Sequence, residues 1–542
     1  PLLDATAADA AESGRGDGPD PSPTRSGFGG ERMSSVMSRA AERQTAKQKL
    51  FDSMFAEMGL GDHLVVASFF IAKLASNLKF WPGSQEVLGQ TLDVFQAMTH
   101  SYSSGKLLLA LEVVNKLLLN HTSEHFRFLE PLENGRLRTR FYMCVARLLY
   151  ISEDPDVMFE RFMSPLASAM DRVKANISVK SSAMGLQVAG VCRDLRGVIA
   201  AAHNPRTYTL VFEVLYPQYF DMFVAAVTTW ADEPQVTTPL LKMLAELVHN
   251  RAHRISFGAS SPNGILLFRE ISKVAVAYGQ QLAAMAVPAQ RELWQKRYKG
   301  LSVLLTMMAR ILDGSYVNFG VFDLYEDPSL QNALETVLQL ALSVPDADLV
   351  AFPKLSRSFY YLVHVLTKSH LKRLVGIPTA SWQRIMAAVR DGLETHDPTI
   401  ANHAAYALDY TATAFVQHFR KDSVLGNALR AQVSAERDLF HNFMKLLFQL
   451  VVFGDLTTQW AMTRPMLPLV LAADMVEPRT WDRFKEALVM SQPVEGGVRA
   501  RLVEEMGKLM KDVTRSLDSP NRDRFSKHLS SFRTAVREFV TL

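Results

Sequence analysis

The chain contains 542 residues, of which 48% are hydrophobic and 21% are charged, the composition of an ordinary folded protein. This length exceeds what one compact hydrophobic core sustains, so we expect either several domains or an elongated array of repeats. The 59 basic and 55 acidic residues leave a net charge of only +4, a balance that does not suggest a nucleic-acid-binding protein.

Cysteine content and hydropathy indicate the compartment. Cys144 and Cys192 lie far apart and outside any C-x-x-C pattern, which excludes a disulfide framework and favours a reducing compartment such as the cytosol or nucleus. The longest apolar runs, Leu64–Ala72 and Leu446–Phe453, fall short of the roughly 20 residues that a bilayer requires, so no membrane insertion is predicted. Residues 1–30 also lack the apolar centre of a secretory signal.

A compositional change divides the chain near its start. Residues 1–32 are rich in Gly, Pro, Ser, Asp and Ala and bury too little apolar surface to offset the entropy of ordering, so we predict a disordered tail. Across residues 33–542, apolar-periodic runs of about 12–22 residues alternate with short breaks. A proline in such a break disfavours continuing one helix and favours starting the next. These breaks contain Pro82, Pro155, Pro205, Pro234, Pro288, Pro345, Pro398 and Pro520.

The long series of helices predicts an all-α fold, an α-solenoid (superhelix) of HEAT- or armadillo-like helical repeats. One helix pair cannot bury its apolar face alone, so neighbouring pairs stack and share a continuous core. At roughly 40–47 residues per pair, residues 33–542 would hold about eleven pairs. Because no consensus repeat motif is evident, this period depends on the breaks, and a single compact helical domain is the structural alternative.

The stretch Thr237–Lys273 predicts two helices joined by a short connector. On the first helix, Lys242, Glu246 and Asn250 fall on the side opposite to the apolar residues. The apolar residues that recur at helical spacing are Leu240, Met243, Leu244, Leu247 and Val248. The last helix of the chain shows a similar apolar face, formed by Phe525, Leu529, Phe532, Val536 and Phe539.

Two histidine pairs could indicate metal chemistry. His121, Glu124 and His125 match the H-x-x-E-H pattern of inverted zinc peptidases, in which both imidazoles share a helix face and the glutamate acts as general base. The surrounding residues instead indicate a helix end followed by a new N-cap, and no third ligand is evident. His249 and His253 form a second i, i+4 pair without a carboxylate, and we interpret them as surface or inner-groove histidines.

Nucleotide chemistry is not indicated. The sequence contains neither a P-loop of the form G-x-x-x-x-G-K-S/T nor a G-x-G-x-x-G segment after a strand. Nucleotide hydrolysis is therefore not predicted, and the sequence indicates no cofactor and no metal.

The stretch Thr237–Lys273 closely resembles part of the exportin-seven family, also called Ran-binding protein sixteen, which are karyopherins of the importin-beta superfamily. Further segments resemble the same family in the order that it shows. They are Asn120–Leu129, Arg193–Gly197, Gly314–Tyr325, Phe352–Ser358, Gln459–Leu467 and Asn521–Arg533. An ordered series of uncommon peptides is more specific than any single short motif.

The resemblance implies a nuclear transport receptor that binds and does not catalyse. Such a receptor binds folded protein cargo together with the small GTPase Ran in its GTP form. It contacts nuclear pore proteins and shuttles between nucleus and cytoplasm. The matching segments correspond to the C-terminal half of the family, whose members are about twice this length, and the principal Ran surface belongs to the other half. Since the chain begins at Pro1, we expect a fragment or a gene model that has lost its start.

Partner contacts are expected among charged and polar side chains of the matching segments. The candidates are Arg251, Arg254, Arg269, Lys273, Asn318 and Asp323. The alternative for each is that it forms a cap or an ion pair that holds adjacent repeats together.

Three other functions remain open from the sequence. The same receptor could work in import or in both directions, which the sequence does not separate. A HEAT-repeat scaffold unrelated to transport would bind partners regardless of the nucleotide on Ran. A metallopeptidase centred on His121 and His125 would carry stoichiometric zinc.

Overall fold

The computed structural model describes residues 45, 47–58, 61–152, 155–258, 260–454, 459–493 and 497–539. The chain divides into two compact units, Pro1–Phe69 and Phe70–Leu542. The predicted disordered tail, residues 1–32, lies outside the described residues. In the first unit, residues 47–57 form a helix and α1 (His63–Phe80) begins.

Regular structure in the described residues is helical. The helices that follow α1 are α2 (Gln85–Met98), α3 (Tyr102–Leu109), α4 (Glu112–Leu119), α5 (Gly135–Ile151), α6 (Pro155–Ala175), α7 (Ser182–Ala201), α8 (Pro205–Leu215) and α9 (Phe220–Thr229). The next are α10 (Pro234–Leu247), α11 (Asn263–Ala284), α12 (Gln290–Leu293), α13 (Lys299–Asp313), α14 (Gly320–Leu324), α15 (Ser329–Leu342), α16 (Asp346–Ala351), α17 (Pro353–Ser369) and α18 (Leu371–Leu374). The last are α19 (Thr379–Leu393), α20 (Pro398–His418), α21 (Val424–Ala435), α22 (Leu439–Phe453), α23 (Gln459–Thr463), α24 (Met466–Val476), α25 (Thr480–Met490), α26 (Val498–Leu509) and α27 (Ser519–Arg537). Short 3₁₀ turns lie at Arg127–Leu129, Leu132–Asn134 and Arg251–His253, and a π-helical turn, Trp294–Tyr298, joins α12 to α13.

Helix starts follow the predicted breaks. Helices α8, α10, α20 and α27 each carry a proline of a predicted break in the first turn, where its missing N–H is not needed. The side chain of Asn204 caps α8 by accepting the Thr207 amide, and Asp397 caps α20 by accepting the amides of Thr399 and Ile400. The local sequence therefore sets these boundaries independently of tertiary packing.

The second unit is a two-layer stack of helices. One layer, which we call the ladder, consists of α5, α7, α10, α13, α17, α20 and α24, each packed on the next in chain order. The other layer contains α9, α11, α15 and α19, also packed in chain order. Each helix therefore buries its apolar side chains mainly against the equivalent helices of the adjacent repeats, which is the arrangement of an α-solenoid and confirms the predicted fold class. A single compact domain would have brought distant helices together.

The C-terminal helix presents the face that its spacing predicts. Phe525, Leu529, Phe532 and Val536 are buried, and α27 packs on α22 and α26. Phe539 is partly exposed, and the guanidinium of Arg501 lies 4.2 Å from its ring centroid.

Buried ion pairs join neighbouring ladder helices. Arg138 on α5 pairs with Asp194 on α7, whose side chain is 3% exposed. Gly197 on α7 lies so close to α5 that an added Cβ would approach the Thr139 carbonyl oxygen to 2.5 Å. Within Arg193–Gly197, Asp194 and Gly197 thus hold two helices together at close approach.

Arg254 joins α7 to α10 and is fully buried. Its guanidinium donates to the carbonyl oxygens of Ile199 at 2.7 Å, Ala202 at 3.0 Å and His249 at 2.9 Å. It also contacts Glu246, both at the carbonyl and at the carboxylate. These acceptors lie at the C-terminal ends of the two helices, where carbonyl groups lack helical donors. The prediction that Arg254 contacts a partner is wrong, because its side chain is fully buried and bonds only to groups within the protein.

Helix α1 is longer and more apolar than the sequence analysis allowed for when it predicted no membrane insertion. By length and composition α1 could span a bilayer, and α8 with α9 passes the same test as a pair bent by 66°. The bent pair buries Tyr208, Phe212 and Phe223 inside the stack, as core helices of folded proteins do.

Replacing Arg254 with alanine should destabilise the α7–α10 junction by about 3–5 kcal/mol, because several buried carbonyls and the Glu246 carboxylate lose their donor. Hydrogen exchange of the amides in α7 and α10 would measure the loss locally, which suits a repeat array that need not unfold in one step.

The matched control is Arg269→Ala. Arg269 is 49% exposed and pairs with Asp327 at 3.2 Å, so its loss should change stability by at most about 1 kcal/mol. Equal protection in both variants would contradict the proposed role of Arg254.

Candidate functional site

The remaining partner-contact candidates separate into two groups. Arg251 lines a groove on the ladder, where its guanidinium pairs with Glu246 at 3.2 Å. Lys273 pairs with Glu270 on its own helix at 2.8 Å, and Arg269 pairs with Asp327. These pairs match the alternative interpretation, ion pairs within the repeat array.

The other two candidates lie beyond the end of α13. Asp323 pairs with Arg373 across α14 and α18, and the Asn318 side chain accepts the Gly320 amide at 3.2 Å, which starts the next turn. Both are exposed, so a role in partner binding remains a prediction for them.

The zinc interpretation of His121 and His125 is not supported by their geometry. Residues 121–125 form a turn and not a helix, so the two imidazoles do not share a helix face. His121 is buried, its Nε2 lies 3.0 Å from the Phe162 carbonyl oxygen, and its ring stacks on Phe162. Burial lowers the pKa of His121 to about 4, which keeps the ring neutral. It is a core histidine.

His249 and His253 likewise do not share a helix face, because α10 ends at Leu247. His253 closes a short 3₁₀ turn and has a positive φ of 55°. Burial and the positive charge of nearby Arg310 lower the pKa of His249 to about 4. Within the described residues, no cluster of three or more His, Cys, Asp or Glu is arranged to hold a metal ion.

The ladder carries a groove of about 670 Å³ lined by α5, α7, α10, α13 and α17. We call it the basic groove. Its charged lining residues are Arg136, Arg140, Arg193, Arg196, Lys242, Arg251, Lys299, Lys354 and Glu246. A groove with eight cations and one carboxylate contrasts with the near balance of charge in the chain as a whole.

Helix periodicity places these cations on one face. On α13, Lys299, Val303, Thr306 and Arg310 are partly exposed at helical spacing, while nearly all the residues between them are buried. On α7 the same row contains Arg193, Arg196 and Ala200. Because the ladder helices pack side by side, these rows join into one surface.

Five of the cations make no ion pair or side-chain hydrogen bond among the described residues, although the charge of Glu246 favours the charged form of one of them, Arg196. Arg140 pairs with Asp93, Arg193 donates to the Leu132 carbonyl at 3.2 Å, and Arg251 pairs with Glu246. The cations without an ion pair or hydrogen bond in this part of the chain are Arg136, Arg196, Lys242, Lys299 and Lys354. Each of the five comes from a different ladder helix.

Lys242 is at the centre of this cluster. Partial burial, together with repulsion from Arg196, Lys299, Arg136 and Lys354, lowers the pKa of the Lys242 ammonium to about 8. The ordinary value is 10.5, so the folded protein releases this proton earlier than the unfolded chain does. The free energy of unfolding therefore increases as pH rises from about 8 to 10.5, because burial and the neighbouring positive charges disfavour the protonated ammonium in the folded state.

Two further polar groups of the groove lack partners. The Thr238 side chain is 4% exposed and its Oγ1 makes no hydrogen bond. Nε of Arg251 is also buried without an acceptor. Next to them, Pro239 interrupts the hydrogen bonds of α10, so the Gln235 carbonyl lacks its i+4 donor. Buried polar groups are normally satisfied, and a ligand in the groove would satisfy the Thr238 hydroxyl and the Arg251 Nε.

Sequence reasoning missed this site. The five unpaired cations are roughly one helix pair apart along the chain, so they form no charge cluster in the sequence. Lys242 is recognisable as a polar position opposite an apolar face, and the same signal exists for Lys299 and Lys354. The periodicity of a single helix does not show that the polar faces of the five ladder helices adjoin in the folded protein.

The chain is similar to known proteins along most of its length. A family described as "Exportin-7-like, TPR domain" matches residues 35–137. Exportin-7-A of Xenopus laevis is 34% identical over 511 residues, which cover 90% of this chain and 46% of that protein. Ran-binding protein 17 of Homo sapiens is 34% identical over 509 residues, with 90% and 46% covered.

These similarities confirm the resemblance to the exportin-seven family. The chain spans about half the length of the curated relatives that it matches. A solved structure titled "Importin13 cytosolic state" superposes on 88% of this chain and 50% of that chain, with a TM-score of 0.44 and 11% identity. That likeness is too low to bear on function.

Substituting Arg196 with methionine should raise the pKa of Lys242 above about 8, because one of the charges that repel its ammonium is removed. The titration midpoint can be followed by NMR after ¹³C-methylation of the lysines. Arg269→Met removes a charge outside the groove and should leave the midpoint unchanged. An unchanged midpoint in Arg196→Met would mean that the cations do not converge on Lys242.

Proposed function

We propose that this chain is part of a nuclear transport receptor that exports proteins. In this proposal the receptor binds folded protein cargo together with Ran-GTP in the nucleus, contacts nuclear pore proteins as it crosses the pore, and releases the cargo in the cytoplasm. It binds and does not catalyse. The observation that carries the proposal is the similarity to exportins and Ran-binding proteins along 90% of the chain.

The architecture supports a binding function. Stacked helices offer a long surface on each layer, and small rotations between repeats allow a stack to open and close around a partner. The basic groove adds a surface with unpaired cations, which a purely structural stack does not need. Ran-GTP and cargo would each favour a conformation that the other stabilises, so their binding would be reciprocally coupled.

The Ran dependence of partner binding tests the direction of transport. Because the principal Ran surface is expected outside these 542 residues, the test uses the whole receptor that contains them. Immobilised and exposed to nuclear extract, that receptor should retain more protein when Ran carries a non-hydrolysable GTP analogue than when it carries GDP. The physical reason is the positive coupling between the two ligands of an exporting receptor. Quantitative mass spectrometry of the retained proteins measures the ratio.

Opposite results identify other functions. Partners displaced by Ran-GTP would indicate import. If Ran-GTP displaces one set of partners and increases the retention of another, the receptor transports in both directions. Partners retained equally with either nucleotide would contradict transport and support a scaffold of helical repeats.

A further inference from the structure

The five unpaired cations of the basic groove call for a ligand. Each cation lies on a different ladder helix, and repulsion among them opposes the folding of this region. The one carboxylate of the lining, Glu246, is already engaged by Arg251 and Arg254. An uncompensated cluster of this kind is stabilised when a partner supplies the missing negative charge.

We propose that the basic groove is a docking site for an acidic segment of a partner protein in which carboxylates alternate with apolar residues. Its carboxylates pair with Arg136, Arg196, Lys242, Lys299 and Lys354. This inference deepens the proposed receptor function by naming the chemistry of a partner, and its test needs neither Ran nor cargo.

Charge complementarity is the first argument. Lys242 is central, and the head groups of Arg196 and Lys299 are close enough to repel it, so several carboxylates would be bound together. Partial burial strengthens each pairing, because ion pairs that water does not fully surround are less screened.

The apolar part of the lining is the second argument. Met143, Val303, Pro234 and Pro239 line the groove together with the cations. Apolar side chains of a bound peptide can contact these residues, whereas a polyphosphate would leave them without apolar contacts. A polypeptide therefore matches both kinds of surface.

Backbone groups are the third argument. The Gln235 carbonyl lacks its helical donor because residue 239 is proline, and the Thr238 hydroxyl has no partner. A peptide amide N–H can donate to either oxygen. Carboxylate and phosphate oxygens only accept, so they could not satisfy the carbonyl.

The same features weigh against single-stranded nucleic acid. Proteins that bind it offer aromatic faces on which bases stack. The aromatic residue of the groove, Trp294, already stacks on Phe352, with ring centroids 5.9 Å apart and planes 15° from parallel.

Fluorescence anisotropy with labelled peptides tests the proposal on the whole 542-residue chain. The probe is a short peptide in which glutamates alternate with leucine and valine, and its counterpart carries lysine at every glutamate. We expect saturable binding of the acidic peptide alone. Binding should weaken steeply with added salt, because partly exposed charges are screened.

Charge reversal locates the site. Lys242→Glu with Lys299→Glu should weaken the acidic peptide at least about tenfold, because two attractive charges become repulsive. Lys273→Glu with Lys372→Glu makes the same change of charge at exposed lysines outside the groove and should have little effect. Equal weakening by both double variants would overturn the assignment of the site.

Charge removal separates binding from folding. Lys242→Met and Arg196→Met relieve repulsion, so they should melt no lower than the parent chain while still weakening the peptide. In the parent chain, added acidic peptide should raise the pKa of Lys242, since carboxylates favour the charged ammonium. An unchanged titration of Lys242 at saturating peptide would place the peptide elsewhere.

Competition decides between classes of ligand. Oligouridylate or inorganic polyphosphate that displaces the acidic peptide and binds the groove more tightly would overturn the choice of a polypeptide. The export proposal would survive that result, since it depends on the response of cargo to Ran. Conversely, peptide binding without any Ran dependence of cargo would sustain this site and contradict export.

Discussion

A helix pair cannot bury its apolar face alone, and the rest of this structure depends on that constraint. The second unit satisfies this constraint with two layers, the ladder and a second layer, in which each helix packs on the next helix of the same layer. Stacking in this way places many helix ends inside the protein, where carbonyl groups need donors. Arginine supplies them repeatedly. Arg254 serves α7 and α10, Arg310 donates to the Ala245 carbonyl at 2.8 Å, and Arg297 donates to that of Leu282 at 3.0 Å.

This use of arginine explains how a nearly neutral chain holds a strongly basic groove. Many guanidinium groups are engaged by carbonyls or by buried carboxylates, as in the pairs of Asp409 with Arg464 and Arg522. The cations that remain unpaired on the ladder are few, but the stacking brings them together on one face. Their repulsion is a local cost that the continuous core offsets, and a bound acidic partner would remove it.

Two of the peptides that resemble the family contain residues that pack neighbouring helices together. Arg193–Gly197 contains the buried Asp194 and the close-approach Gly197, while Asn120–Leu129 contains the core histidine His121. Sequence similarity therefore reports the architecture directly and the binding surface only indirectly. For the same reason Arg254 stood out in the sequence although its role is to join two repeats.

The sequence alone determined the helical class, several helix starts and the resemblance to the exportin-seven family. Proline and N-cap residues act within one turn, and apolar periodicity acts within one helix, so both are readable from short stretches. Only the tertiary structure decided that Lys242, Lys299 and Lys354 meet in one groove and that Arg254 is buried. These outcomes depend on which helix faces adjoin across the stack, a relation between residues far apart in the chain. The motif around His121 shows the same limit, since its chemistry required a helix that local packing did not form.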